Sequence, residues 1–230
     1  MVNNEFAEIH MRWTERIIAA HKRDLSERPP DRRGELIALW ERLRSGGGPE
    51  PVVEKALELA TDGNANEEEL GFHVLMDLAL TEPVLRTPVS QLAGHRSAAV
   101  RRGLAFYLSR ELPAEFQSEV YRALLQDKAA SVRECAIKRI GMIYFKDLLP
   151  ELRALRSSER NDKVIRCLDY WIPLLEVGYR VVPATNYDGM LEVTALTGNG
   201  TATKWIKASD PHDPQILRAV EDLRIQARRY

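Results

Sequence analysis

Hydrophobic positions recur with a fixed period in the middle of the chain. Val100, Val132 and Val164 lie 32 residues apart and begin similar segments, in which further apolar residues follow at intervals of three or four. Such intervals are typical of the buried face of a helix. A period of this length indicates two-helix units, each of which must bury its apolar face on its neighbours. We therefore predict stacked helix pairs with these valines buried.

The repeated residues resemble the HEAT repeat. Ala99-Val100-Arg101 and Ser131-Val132-Arg133 match its pattern of a small residue, valine and arginine, whereas Val164-Ile165-Arg166 carries the arginine one position later. The resemblance covers roughly residues 84–177. It implies a mostly α fold, a HEAT-like α-solenoid with a right-handed superhelix, in which the arginine of the motif braces neighbouring loops. It implies an architecture and leaves the activity open.

The residues before the clear repeats also predict helices. Residues 4–24 form one amphipathic helix, and Asp31 caps a second. We assign residues 1–48 as the N-terminal cap of a repeat domain spanning residues 1–178, because an open end would leave a core face in water.

A third predicted helix runs from Pro51 to Ala60, and Asn66 caps a fourth. Gly71 lies in this fourth helix, at a position where we expect a neighbouring element to approach closely. Residues 84–93 predict a short helix that Pro88 interrupts, and Pro173 predicts a kink or an end in the last repeat helix.

The pattern changes after Gly178. Alternating apolar residues and β-branched residues predict strands, and Gly198-Asn199-Gly200 predicts a hairpin turn. Asp213 caps a last helix that has Pro214 at its first position. We predict that residues 179–230 form a small C-terminal β-hairpin plus helix packed on the solenoid, since a hairpin alone is only marginally stable.

Charge is distributed unevenly along a chain whose net charge is −1. Residues 49–82 contain nine acidic residues and one base, whereas residues 97–180 contain 15 basic and 11 acidic residues. The acidic segment is the strongest hint about a partner, and we expect its glutamates to face a basic protein. The partner-binding residues predicted there are Glu54, Glu58, Glu67 and Glu68. Favourable interaction with a helix macrodipole is the alternative explanation for the glutamates at 67–69.

The 32-residue period also predicts which side chains share the concave face of a HEAT-like stack. Arginines and aromatic residues fall in shared columns, and such residues are favoured anchors of protein interfaces. The predicted partner-binding residues on this face are Arg102, Phe106, Lys138, Arg166, Asp169 and Tyr170. The alternative is that Phe106 and Tyr170 pack between repeats.

The sequence gives little indication of catalytic or metal chemistry. The five histidines and two cysteines match no zinc-binding spacing, and no nucleophile elbow or phosphate-binding loop is present. We therefore expect no catalytic residue, no metal and no cofactor. Cys135 and Cys167 occupy equivalent repeat positions and are predicted to be core thiols of a cytoplasmic protein. We expect no membrane span and no signal peptide.

Two functions remain open at this stage. The sequence favours a non-catalytic protein-binding module, an intracellular bacterial protein of the immunity or inhibitor type or an adaptor, that docks one protein partner such as a basic toxin domain. The alternative is a nucleic-acid enzyme similar to HEAT-like DNA glycosylases that remove alkylated bases, with Asp169 and Trp171 beside a cationic face. The sequence pI of about 6.5 argues against phosphate binding. Nucleic acid is therefore the less favoured partner.

Overall fold

The structure is a computed structural model that describes residues 4–26, 31–185, 187–197, 200–208, 210–211 and 213–227. In the first and last helices it describes side chains from Thr14 to Leu25 and from Pro214 to Ile225. The predicted turn residues Gly198 and Asn199 lie outside the described residues.

Helices account for most of the described chain. They are α1 (Asn4–Ser26), α2 (Arg32–Arg44), α3 (Glu50–Asp62), α4 (Ala65–Thr81), α5 (Arg86–Gln91), α6 (Ala98–Tyr107), α7 (Ala114–Leu125), α8 (Ala130–Met142), α9 (Leu149–Ser158), α10 (Asp162–Val177) and α11 (Pro214–Ala227). Short 3-10 turns occupy Pro83–Leu85, Leu92–Gly94 and Lys146–Leu148. The strands β1 (Tyr179–Pro183), β2 (Leu191–Thr197) and β3 (Gly200–Ile206) form an antiparallel sheet in the order β1-β2-β3. The predicted mostly helical fold with a small C-terminal sheet is confirmed.

The chain divides into two compact units, Met1–Cys135 and Ala136–Tyr230, and the division falls within α8. Within the described residues, no helix combines the length and the apolar character required to cross a bilayer.

Side-chain caps mark the starts of α2 and α4 in the first unit. Asp31 caps α2 as predicted, and its carboxylate accepts a hydrogen bond from the Arg33 N–H. The cap of α4 is Asn64 rather than the predicted Asn66. The Asn64 side chain accepts from the backbone N–H of Glu67, whose carboxylate accepts from the Asn64 N–H at 2.8 Å. In this reciprocal capping box each residue accepts a hydrogen bond from the backbone N–H of the other. The helix therefore starts at Ala65, two residues earlier than an Asn66 cap would allow.

Gly71 is the point at which α4 lies closest to α3. A Cβ atom at this position would lie 2.7 Å from the carbonyl oxygen of Ala56 and 2.7 Å from the backbone nitrogen of Ala60. The predicted close approach is therefore confirmed. Pro88, in contrast, does not interrupt α5, because it lies in the first turn, where an N–H has no partner within the helix.

The periodic valines are buried, as the period predicts. The exposed fractions of Val100, Val132 and Val164 are 4%, 0% and 0%. The adjacent arginine also has its predicted role in the first unit. Arg101 is buried, forms an ion pair with Asp127 and donates to the carbonyl oxygens of residues 95 and 96. Arg133 donates to the carbonyl oxygen of Asp127 at 2.7 Å.

The C-terminal helix of the repeat region continues through its proline. α10 runs past Pro173 to Val177, and Gly178 ends it in the left-handed conformation at φ +84°. Near its centre, α10 packs against α8, since a Cβ at Gly141 would lie 2.1 Å from the indole of Trp171. Of the predicted kink or end at Pro173, the end is therefore wrong, and Gly178 supplies the stop instead. The kink stays a prediction.

The sheet has one strand more than the predicted hairpin, because β1 pairs with β2. One face of the sheet packs against α11 around a core of Leu191, Val193, Ala195, Ala208, Ile216, Val220 and Leu223. Asp213 caps α11 as predicted, accepting from the Gln215 N–H at 2.8 Å. Tyr144, which has a positive φ of 58°, places its hydroxyl 2.7 Å from the carbonyl oxygen of Thr197 at the end of β2.

Candidate protein-binding surface

Three of the predicted partner-binding residues come together where α4 meets α6 in the first unit. Gly103 permits the close contact, since a Cβ there would lie 2.5 Å from the Phe72 ring and 2.6 Å from a carboxylate oxygen of Glu68. Arg102 is exposed beside Gly103, and its charge acts on the Glu68 carboxylate. Phe106 follows one turn later on α6. Packing between helices thus assembles residues that are about 35 positions apart in the sequence.

Phe106 is the outermost member of an aromatic cluster, which we define as Phe72, His73, Phe106 and Tyr107. The ring of Tyr107 stacks on Phe72 with centroids 5.2 Å apart and an interplanar angle of 14°. His73 contacts the same ring edge-on at 5.2 Å, and Phe106 contacts it edge-on at 4.9 Å. Phe72 is fully buried, whereas the exposed fraction of Phe106 is 54%. The exposed Phe106 ring is therefore held against Tyr107, which in turn stacks on the buried Phe72.

The charged groups around this cluster are partly desolvated. Burial raises the pKa of Glu68, and the positive charge of Arg102 opposes that rise. Burial also raises the pKa of Tyr107 to about 12, with smaller contributions from the negative charges of Glu69 and Glu68. Tyr107 therefore keeps its hydroxyl proton at neutral pH. We name the set Glu68, Glu69, His73, Arg102, Phe106 and Tyr107 the α4–α6 surface.

The α4–α6 surface has the composition of an interface anchor. Aromatic residues and arginine are enriched at the energetic centres of protein interfaces. Arg102 can pair with a carboxylate of a partner, and Phe106 can fill an apolar pocket. The sequence alone did not point to Tyr107 and His73, although each is adjacent to another aromatic residue, Phe106 and Phe72 respectively.

The predicted acidic residues of α3 and α4 have different environments. Glu54 is exposed on α3. Glu58 forms ion pairs with Lys55 at 3.0 Å and with Arg32 at 3.3 Å. Glu67 is only 3% exposed, and its carboxylate is held by the capping box and by Arg32 at 2.8 Å. The hydrogen bond from Arg32 lowers the pKa of Glu67. Because Glu67 faces inward, we leave it out of the α4–α6 surface.

The predicted binding residues of the second unit belong to α8 and α10. Lys138 is exposed on α8, and Arg166 is exposed on α10. Asp169 forms an ion pair with Arg156 at 2.6 Å. Tyr170 is half-buried, with the guanidinium of Arg180 lying 5.1 Å from its ring centroid. The contact with Arg180 is compatible with the alternative in which Tyr170 packs inside the fold rather than binding a partner. A shared concave face that would join these residues to Arg102 and Phe106 stays a prediction.

A second feature of the first unit is a polar cleft of about 270 Å³ where α1, α2 and α4 meet. It is lined by Ile17, Ala20, His21, Asp24, Arg33, Asn66 and Glu69. The buried Arg33 guanidinium contacts Asp24 at 2.8 Å and the Nδ1 atom of His21 at 3.0 Å. Burial, and then the charge of Arg33, lower the pKa of His21. His21 is therefore a neutral acceptor for Arg33 at neutral pH.

Within the described ranges, no three or more histidine, cysteine, aspartate or glutamate side chains come together in a way that could hold a metal ion. Cys167 is buried and Cys135 is half-buried, and the Cys135 Sγ atom lies 3.6 Å from the carbonyl oxygen of Arg102. The chain matches no protein-family model, no curated protein and no solved structure.

Proposed function

We propose that this chain is a non-catalytic protein-binding module that docks one protein partner on the α4–α6 surface. The observation that carries the proposal is the exposed Phe106 ring, which rests on the buried aromatic cluster beside the exposed Arg102. A ring that is already held in place loses little conformational freedom on binding. Its burial in a partner would therefore contribute more to affinity than burial of a flexible side chain.

Acidic residues of α3 and α4 favour a partner that also carries basic groups. Glu69 is half-buried within the α4–α6 surface, and Glu54 is exposed on the neighbouring α3. Complementary charge increases association rates and disfavours wrong partners more than it adds affinity. A protein of the inhibitor or adaptor type, acting on a basic partner such as a toxin domain, fits these features.

A HEAT-like α-solenoid is the architecture that we propose for the helical part. The 32-residue period, the burial of Val100, Val132 and Val164, and the bracing contacts of Arg101 and Arg133 support it. Stacked repeats of this kind present extended surfaces to protein partners.

The alternative, an alkylated-base DNA glycosylase, gains no support from the residues that suggested it. Trp171 is 9% exposed and packs on Gly141, so its ring cannot stack on an extruded base. The carboxylate of Asp169 is engaged by Arg156. We therefore propose the binding function alone.

Substitution of Phe106 tests this proposal. We expect Phe106→Ala to weaken partner binding by about 30-fold, the effect of losing about 2 kcal/mol at an interface anchor. Leu217→Ala is the matched control, because Leu217 is a large apolar residue of α11 that is 61% exposed. Quantitative affinity capture from the native cell should retain the same partner with the wild type and with the control variant.

Loss of the partner with Leu217→Ala, or full retention with Phe106→Ala, would contradict the proposed site. Thermal unfolding of both variants checks that the fold is intact. Because Phe106 is more than half exposed, we expect its removal to change stability little.

A further inference from the structure

Among the residues that the structure describes, the sheet of the second unit has a free edge at β3. The strand order β1-β2-β3 leaves both outer strands with one unpaired side. β1 is short and ends at Pro183, a residue that discourages further pairing. β3 is seven residues long, contains no proline and pairs with β2 in continuous register from Gly200 to Ile206. The β3 edge is therefore less protected than the β1 edge against pairing with a further strand.

Successive residues of β2 form backbone hydrogen bonds alternately with β1 and with β3. This alternation shows which backbone N–H and C=O groups of β3 point away from β2. The N–H of Leu196 donates to the carbonyl oxygen of Gly178, on the β1 side. Since successive residues of a strand direct their amides to opposite sides, Val193 and Ala195 bond toward β3. Their partners on β3 are Lys204 and Ala202. Gly200 and Ile206 follow the same alternation and also face β2. Thr201, Thr203 and Trp205 therefore present their N–H and C=O groups to the free edge.

The side chains of these same three residues are exposed. Thr201 and Thr203 are exposed, and Trp205 is 47% exposed with its ring 5.6 Å from that of Tyr187. The opposite face of the strand is covered, because Ala202 and Ile206 pack against the core beneath α11. An additional strand could therefore reach the β3 edge and would meet threonine and tryptophan side chains there.

We propose that the β3 edge binds the β3 edge of a second copy of this chain. An antiparallel pairing centred on Thr203 places Thr203 opposite Thr203 and Thr201 opposite Trp205 of the second copy. These are the residues whose backbone groups point outward, so each pair can exchange both of its hydrogen bonds. Threonine–threonine and aromatic–β-branched pairs are favourable cross-strand neighbours. Two three-stranded sheets then form one continuous sheet.

Charge does not oppose this arrangement. Lys204, the charged residue within β3, falls opposite Ala202 of the second copy rather than opposite another lysine. Its ammonium also contacts Asp222 at 3.2 Å within its own chain. A twofold axis through Thr203 therefore places no like charges of the two strands directly opposite each other.

Oligomeric state and cross-linking of the full chain test the proposal. Sedimentation across a concentration series is expected to show a monomer–dimer equilibrium for the wild type. Thr203→Pro removes an outward N–H from each strand and should weaken dimerisation by at least about tenfold. Proline is tolerated where an edge N–H faces solvent, and circular dichroism checks the fold of the variant. Thr203→Lys, which leaves the backbone intact and places like charges opposite each other, should have the same effect.

Cysteine substitutions test the register. Thr203→Cys should form a disulfide-linked dimer under oxidising conditions, since directly opposite Cα atoms lie about 5.5 Å apart. Thr201→Cys is the matched control, because position 201 of one copy would lie about 14 Å along the strands from position 201 of the other copy. The unsubstituted chain controls for Cys135 and Cys167. A wild type that is monomeric at all concentrations, a dimer unaffected by Thr203→Pro, or equal cross-linking of both cysteine variants would overturn the proposal.

Discussion

Individual buried charges connect the elements of the first unit. The side chain of Arg33 is almost fully buried and contacts Asp31, Asp24 and His21, which joins the start of α2 to α1. The sequence alone does not indicate this role, because the arginine and histidine are 12 positions apart on different helices. Arg101 is different. The resemblance to the HEAT repeat implied a bracing role for this arginine, and its contacts with Asp127 and the loop at residues 95–96 are of that kind.

The neutral state of His21 should make stability depend on pH. Its pKa is lowered in the fold by burial and then by Arg33, while Glu69, Asp24 and Asp31 oppose this effect. The unfolded chain therefore binds the proton more readily once the pH falls below about 6.5. The free energy of unfolding should then decrease with falling pH, by at most about 1.4 kcal/mol per pH unit from this group.

Denaturant unfolding of the wild type and of His21→Asn between about pH 5 and pH 7 measures this contribution. The variant should show a smaller decrease, because an amide does not titrate. Asp31 does not interfere, since its pKa is lowered from 3.8, mainly by the hydrogen bond from Arg33, and its stabilisation is lost at lower pH. His95→Asn, at a half-buried histidine outside the cleft, is the control. Equal pH slopes for wild type and His21→Asn would contradict the assignment.

At the level of elements, local patterns predicted the helices better than their exact ends or the sheet pairing. The predicted helix at residues 4–24 corresponds to α1, and apolar spacing placed α3 and α4 correctly. The cap of α4 differs, because Asn64 and Asn66 are both good capping residues and only the capping box with Glu67 distinguishes them. The pairing of β1 with β2 depends on a contact across the connection from Pro183 to Leu191, which alternation within each strand does not specify.

Paired glycine substitutions test the packing of α4. Gly71→Ala should destabilise the protein by about 1–3 kcal/mol, because the added Cβ meets backbone atoms of α3 that cannot move independently. Gly34→Ala in α2 should instead stabilise it by up to about 1 kcal/mol, since no atom of the described residues lies within 4 Å of a Cβ there and alanine favours the helix. Chemical denaturation measures both values. Effects of the same sign would refute the role of Gly71 as a contact point.

At the level of the whole molecule, counting charges along the chain overestimates the acidity of the surface. Within the acidic residues 49–82, Glu58 and Glu67 pair with Arg32, and Asp77 is buried. Arg32 lies outside residues 49–82. The fold therefore partly neutralises the negative charge of that segment, and a count of charges along the sequence does not include this contribution. Of the aromatic cluster, only Phe106 was predicted from the sequence, because Phe72 and Tyr107 meet only when α4 packs on α6. The exposed positions of Arg102 and Phe106, however, agree with those expected from the repeat period.

The most direct test of the central claim, that a protein partner docks on the α4–α6 surface, is site-specific photo-cross-linking in the native cell. A photoreactive benzoylphenylalanine at position 106 keeps an aromatic ring on the cluster, and the same group at exposed position 217 serves as the control. We predict one covalent adduct with a single partner protein from position 106 and none from position 217. No adduct at position 106, or the same adducts from both positions, would contradict the account.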